Sequence, residues 1–220
     1  MLADRIDQLQ SLRPDVVVLQ ECRQPTEADA DVPWRRYSKY KGLAVKVTGA
    51  GWTGRAIPVP EGTPLGVLPM QVSGPVTLTV VGVWTLREPS YVAHFLTGMA
   101  ALKRHLPDGP LVVLGDFNST PKLNRDHRDL VRVLAEEYGL VSAYHLWHRV
   151  EHGQERHHTH YHRCRQASSW HIDFCFIPRA WADRLVRVDV GGYDEWPSSD
   201  HRPLAVELDL TPVSPLEGSR

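Results

Sequence analysis

The chain has 220 residues and a mass of 24.9 kDa, room for one large domain with a substantial core. Its 25 Lys and Arg against 26 Asp and Glu exclude a global basic field of the kind that draws proteins onto long duplex or anionic membrane, leaving a short or small phosphorylated substrate as the better match. A hydrophobic content of 42% with seven tryptophans excludes a disordered chain.

In chain order, residues 1–12 predict a helix with Leu2, Ile6, Leu9 and Leu12 on one face, closed by Arg13 and Pro14. Residues 15–21, DVVVLQE, read as a buried strand that ends in the carboxylate of Glu21. Residues 40–48 predict a second strand, and the Gly- and Pro-rich stretch 49–74 predicts short, irregular strands and turns. A long central strand over 76–86 precedes a helix over 91–106, whose Val92, Phe95, Met99 and Leu102 are spaced for an inward face. Residues 111–115 form a strand buried on both sides that stops abruptly at Asp116, Phe117, Asn118 and Ser119. Gly115 lets the backbone pass close to a neighbour, and Asp116 and Asn118, two apart on an extended chain, point to the same side.

An amphipathic helix over 126–138 is capped by Gly139, a short strand follows at 140–147, and 151–169 is a polar loop dense in His and Arg. In the strand 170–178, alternation places His171, Asp173 and Cys175 on one face and Ile172, Phe174 and Phe176 on the other. A helical turn at 180–185, strands at 185–190 and 203–210 and a frayed tail at 211–220 complete the chain. No repeat or linker divides it, so residues 1–210 are expected to form a single domain of two packed sheets with helices on their outer faces. Three widely spaced cysteines, Cys22, Cys164 and Cys175, and no run of 18 apolar residues lead us to expect reduced thiols and a soluble, cytoplasmic protein without a membrane partner.

Four polar clusters lie at the edges of apolar runs: Glu21, Asp116 with Asn118, His171 with Asp173, and Asp200 with His201. Glu21 is the natural direct ligand of a hard cation, against a plain reading as a strand-end glutamate in water. Asp116 and Asn118 offer oxygen-rich ligation or a clamp for an attacking water, against a plain Asx turn. Asp173, on a face that otherwise looks interior, must be paired or ligating. Asp200 is assigned to the metal or its support, and His201 to accepting a proton or meeting a phosphoryl oxygen, with Asp173 as its orienting partner. Nothing around Ser198 and Ser199 resembles a nucleophile elbow. His158, His160 and His162 alternate in the polar loop and fit a solvated basic loop, a phosphate contact or a zinc-type site. Arg35, Arg36, Lys39 and Lys41, interleaved with Trp34, Tyr37 and Tyr40, fit either a phosphate-contacting rim or a solvated edge.

The segments PDVVVLQE, GDFNS, WHIDFCFIP and SDHRPL, in this order, resemble the endonuclease/exonuclease/phosphatase family, which includes DNase I-like nucleases, abasic-site nucleases, inositol polyphosphate phosphatases and sphingomyelinases. The resemblance covers nearly the whole chain. It implies an α/β fold, a four-layer α/β sandwich in which two mostly antiparallel sheets pack face to face with helices outside. It also implies Mg2+- or Mn2+-dependent hydrolysis of phosphodiesters, with a nuclease acting on DNA or RNA as the leading reading. A phosphomonoesterase on a small phosphorylated metabolite or inositol phosphate, and a non-catalytic scaffold of the same fold, are the alternatives. By the same resemblance Glu21 is the metal-binding glutamate, Asp116 the aspartate that aligns or activates water, and Asn118 the phosphate-holding amide. Asp173 is the acid that orients the catalytic His201, and Asp200 the metal-associated acid. His171, Arg87, His158 and His160 are expected on the substrate side. Two departures stand out. The usual first strand, ending in an asparagine, does not precede residue 1 in this sequence, either because the start is assigned too late or because the protein lacks it, and its lack would expose a sheet edge to a second copy of the chain; and Trp84 and Thr85 stand where many members carry a phosphate-contacting His or Tyr.

Overall fold

The computed structural model of the chain describes residues 9–26, 31–197 and 199–211. In chain order the strands are β1 (Val16–Cys22), β2 (Trp34–Arg36), β3 (Gly42–Val47), β4 (Thr53–Ala56), β5 (Val67–Ser73), β6 (Thr77–Trp84), β7 (Leu111–Asp116), β8 (Leu140–Ser142), β9 (His160–Tyr161), β10 (Ser169–Trp170), β11 (Asp173–Pro178), β12 (Leu185–Val190) and β13 (Leu204–Leu208). The helices are α1 (Tyr91–Leu102), α2 (His127–Tyr138) and α3 (Ala143–His148). Of the helix expected over 1–12, residues 1–8 lie outside the described residues.

One layer is a six-stranded sheet in the order β4-β5-β6-β7-β11-β8. Every neighbouring pair is antiparallel except β6 and β7, which run parallel because α1 carries the chain back between them. Ser90 caps α1 by accepting the Ala93 N–H at 3.0 Å and donates to Asp126 at 2.9 Å, which ties the starts of α1 and α2 together. Both helices cover one face of this sheet through Phe95, Met99, Leu102, Leu130 and Leu134, all fully buried. The other face packs on a second layer made of β1-β3-β2 and the pair β12-β13. The expected architecture of two mixed sheets with flanking helices is thus present, and only the inner elements differ from the sequence reading.

β5 is a regular, buried seven-residue strand where short, irregular strands and turns were expected. Pro69 is tolerated inside it because its backbone polar edge faces away from β6, where the Pro69 carbonyl accepts the Ile57 N–H at 3.3 Å beyond the end of the β4 ladder. The stretch read as a strand over 140–147 is β8 for three residues and then turns into α3. The strand read over 170–178 is likewise broken, with His171 and Ile172 falling between β10 and β11.

Among the described residues β1 pairs only with β3, and β13 only with β12. β1 lies over β6 and β7, while β13 lies over β11. Their unpaired edges flank a channel of about 1340 Å³ walled by Val16, Val18, Leu204 and Val206 and floored by Leu114 and Cys175. A void holding one water needs only ~10–15 Å³. Among the described residues the channel is therefore a gap in the second layer, between the edges of β1 and β13.

Gly115, the penultimate residue of β7, sits at φ 141°, and a Cβ there would stand 2.1 Å from the Val83 carbonyl oxygen of β6. The close neighbour that its sequence position predicted is thus the parallel partner strand. Gly115→Ala should lower stability by about 2–4 kcal/mol in urea unfolding; an unchanged midpoint would mean that β6 and β7 are not held this close.

Candidate active site

β7 and β11 pair so that Asp116 stands directly opposite Asp173. The chain leaves β7 at Asp116 through an Asx turn: Oδ1 of Asp116 accepts the Asn118 N–H at 2.7 Å and Oδ2 accepts the Asn118 side-chain amide at 2.8 Å. Asn118 takes φ 47°, a left-handed conformation that asparagine tolerates better than most residues, and its amide also reaches the Thr85 carbonyl at 3.3 Å. Asn118 therefore faces Asp116 through this turn and not through strand alternation. Phe117 pins the turn. Its ring is fully buried against Phe95, Phe174 and Phe176, and its N–H donates to the Ile172 carbonyl at 2.9 Å.

His201 enters from the loop before β13, with Nδ1 at 2.9 Å from Oδ2 of Asp173. A short segment that the sequence reading left as polar loop holds both partners. The Thr159 hydroxyl accepts the N–H groups of Ile172 and Asp173 at 3.0 and 3.1 Å, the Thr159 carbonyl accepts the Arg202 N–H at 2.7 Å, and the Tyr161 N–H donates to the Asp200 carbonyl at 2.7 Å. Arg202 is buried, donates to the Ser199 and His201 carbonyls and lies over the Tyr161 and Tyr193 rings. Thr159 and Arg202 were missed as site residues. The available signal was a hydroxyl among histidines and an arginine next to His201.

Burial raises the Asp116 carboxyl to about 8, and the neighbouring Asp173 carboxylate adds to the rise. Burial opposes charge on His201, yet the hydrogen-bonded Asp173, with Asp116 and Asp200, outweighs it and lifts the imidazole to about 10. Asp200 is held down at about 2, chiefly by the neighbouring His160 side chain. His160 lies against the His201 ring, with centroids 4.7 Å apart, and its Nε2 stands 3.7 Å from Asp200.

Glu21 reaches the same cleft from β1, which lines it together with Gly115, Asp116, Asp173, Asp200 and His201. The β1–β3 register shifts between Leu19 and Cys22, and Glu21 takes φ 52° within that shift, so a bulge turns its side chain toward the cleft. Its carboxylate is half-exposed and paired with the Lys41 ammonium. Glu21 and Asp200 both line this channel and carry hard carboxylate oxygens of the kind that Mg2+ and Mn2+ take.

Other residues fall elsewhere. His171 is 1% exposed and precedes β11, so it does not share a face with Asp173; it packs instead against Tyr144 and His145 and cannot touch a substrate in the cleft. Arg87 is exposed in the loop before α1. His158 is bound to Ser169 at 2.7 Å. Arg35 spends its guanidinium on the carbonyls of Thr63, Pro64 and Val67, which makes it a loop staple and not part of a phosphate rim. Trp84 is buried and Thr85 donates to the Phe117 carbonyl at 2.6 Å, so neither side chain is offered to a phosphate. A second group of ligating side chains, His145, His152 and Glu155, can chelate a divalent ion, its donor atoms all lying within 4.8 Å of one another.

The raised values fix the sign of a pH effect without divalent cations. Between the unfolded values of about 4 for Asp and 6.5 for His and the folded values of about 8 and 10, the folded protein holds the additional protons. The stabilisation from charged His201 is complete below its unfolded value and is lost as pH rises through about 10; Asp116 acts in the same direction through about 8. In chelator, the urea midpoint should fall steadily from pH 6 to 10, and less steeply in Asp116→Asn; a flat or rising wild-type profile would contradict this assignment.

Comparison with curated proteins gives no match. Among solved structures, the chain is similar to a 3'-5' exonuclease (NExo) from Neisseria meningitidis, with 23% identity, a TM-score of 0.65 and coverage of 94% of this chain and 96% of that one. It is also similar to an AP endonuclease from Archaeoglobus fulgidus, with 20% identity, a TM-score of 0.68 and coverage of 94% of each chain. The endonuclease domain of TRAS1, a telomere-specific non-LTR retrotransposon, gives 14% identity, a TM-score of 0.69 and coverage of 96% and 92%. These likenesses carry the fold. The profile of the Endonuclease/Exonuclease/phosphatase family matches residues 6–201, nearly the full length, and the chain belongs to that family, whose members are metal-dependent hydrolases of phosphate esters.

Proposed function

We propose that the chain cleaves phosphodiester bonds in DNA or RNA with a Mg2+ or Mn2+ ion held by Glu21 and Asp200. The observation that carries this reading is the Asp173–His201 hydrogen bond beside the buried Asp116. A phosphodiester resists attack because it is anionic, and the bound cation would supply charge neutralisation at its oxygens. The side chains supply the rest. The Nδ1 bond to Asp173 fixes the His201 ring and turns Nε2 away from the carboxylate; charged at neutral pH, this imidazolium meets a phosphoryl oxygen. Asp116, with both oxygens oriented by Asn118, accepts the proton of the attacking water in its ionised form, which its metal-free value near 8 makes dominant only at alkaline pH and which a bound cation would favour at lower pH. His160 positions Asp200, and Tyr37 and Tyr40 are exposed aromatic rings near Lys41 on which bases can stack.

A nucleic-acid substrate is supported by family membership and by similar structures, one of which is a 3' phosphatase NExo from Neisseria bound to product DNA hairpin. A cytoplasmic location is supported by three cysteines that form no disulfide. No helix among the described residues is long and apolar enough to cross a membrane. For assembly, the unpaired edge of β1 is the surface that a second copy would cover.

With Mn2+ present, Asp116→Asn and His201→Ala should each lower kcat/KM on a short DNA or RNA substrate by about 10²–10⁴-fold. Equal cleavage by wild type and both variants removes the assignment. Release of inorganic phosphate without chain scission would make the enzyme a phosphomonoesterase instead. Light scattering across a concentration series should show a dimer; a monomer throughout removes the edge as an assembly surface.

A further inference from the structure

β11 separates two chemistries. Asp173 points toward His201 and the cleft, whereas Phe174 and Phe176 point to the helix-covered face of the sheet. On that second face Phe174 packs against the rings of His127, His145, His152 and His171. The cluster with ligating geometry therefore lies across the sheet from the hydrolytic site, and its donors are of a different kind.

His145 stands in the first turn of α3, where Ser142 binds its Nδ1 at 2.7 Å and leaves Nε2 at 3.1 Å from Oε1 of Glu155. Two ligands bound at ~2.0–2.1 Å to a tetrahedral zinc stand about 3.3 Å apart, so this pair is already close to the spacing of a coordination edge. The loop after α3 folds back to bring His152 over His145, with stacked rings 3.5 Å apart. Nδ1 of His152 meets His127 at 3.1 Å, and His127 in turn meets Ser119 at 3.0 Å. Each imidazole is thus held at one nitrogen by an outer partner, as ligating histidines are, and offers the other.

A further buried imidazole lies beside the cluster. His171, 1% exposed, must donate from Nδ1 to the His157 carbonyl at 2.8 Å, because a carbonyl can only accept. Its Nε2 therefore carries a lone pair, and that atom is buried with no hydrogen-bond partner. His171 packs edge-on against His145, with centroids 6.1 Å apart.

We propose that His145, His152 and Glu155 hold a Zn2+ ion, with water completing its shell, that ties the loop after α3 to the outer face of the six-stranded sheet. The donor set is rich in imidazole and suits zinc, in contrast to the carboxylates of Glu21 and Asp200 at the cleft. The ion has a structural role and does not depend on which phosphoester the cleft cleaves.

The full-length protein, stripped with EDTA and shown to remain folded by circular dichroism, is titrated with Co2+ and with Zn2+. One equivalent should bind, Co2+ should give the intense visible absorption of a four-coordinate site, and Zn2+ should raise Tm by about 5–10 °C at saturation. A Glu21→Gln, Asp200→Asn double variant should keep that equivalent, and His152→Gln should weaken it by about 100-fold or more. No uptake by folded wild type, or loss of the equivalent in the double variant, would overturn the proposal, the latter because the ion would then belong to the cleft.

Discussion

The pairing of β7 with β11 is the constraint on which the site depends. It sets Asp116 opposite Asp173 in a place that both the sheet and the neighbouring loops cover. Two carboxylates this close and this buried cannot both stay ionised without a partner. His201 is that partner, lifted by its hydrogen bond to Asp173, while burial and the neighbouring acid push Asp116 toward protonation. Folding thus builds a charge arrangement that water would not tolerate. The features that enforce it lie at a distance from the chemistry: Gly115 lets β7 press against Val83, and Phe117 locks the turn that follows Asp116.

The segment from Thr159 to Tyr161 connects this constraint to the rest of the chain. It accepts backbone donors from the start of β11 and donates to and accepts from the loop that carries Asp200 and His201. One short stretch therefore holds the acid and the imidazole in register, although they lie 28 residues apart in sequence. The same polar loop begins with the residues that fold against the opposite face of β11, so two sites of different character share the strand and the loop that frame them. The alternation of β11 keeps them apart.

The placement of these side chains was legible in the sequence because polar residues stand where apolar runs end. Glu21, Asp116, Asp173, Asp200 and His201 each follow or enter a strand, and all line one channel, with His201 bonded to Asp173. What periodicity could not supply was the local bend. His171 was placed beside Asp173 because a two-residue alternation was extended across a break between β10 and β11, and only tertiary packing puts its ring under Tyr144. Asn118 reaches Asp116 through a left-handed turn residue, which alternation does not describe. Arg35 looked like part of a basic rim, yet three carbonyls of a distant loop consume its donors, a long-range contact with no local signature. β5 was hidden by Pro69, whose tolerance depends on which neighbour its backbone faces.

The central claim is that Asp173 and Asp116 hold His201 as a charged imidazolium. Its most direct test is the titration of the His201 ring by heteronuclear NMR in metal-free wild type and in Asp173→Asn. The account predicts an imidazole that stays charged well above neutrality, toward about 10, in the wild type and returns toward the ordinary histidine value in the variant. A wild-type His201 that titrates near 6.5 would contradict it.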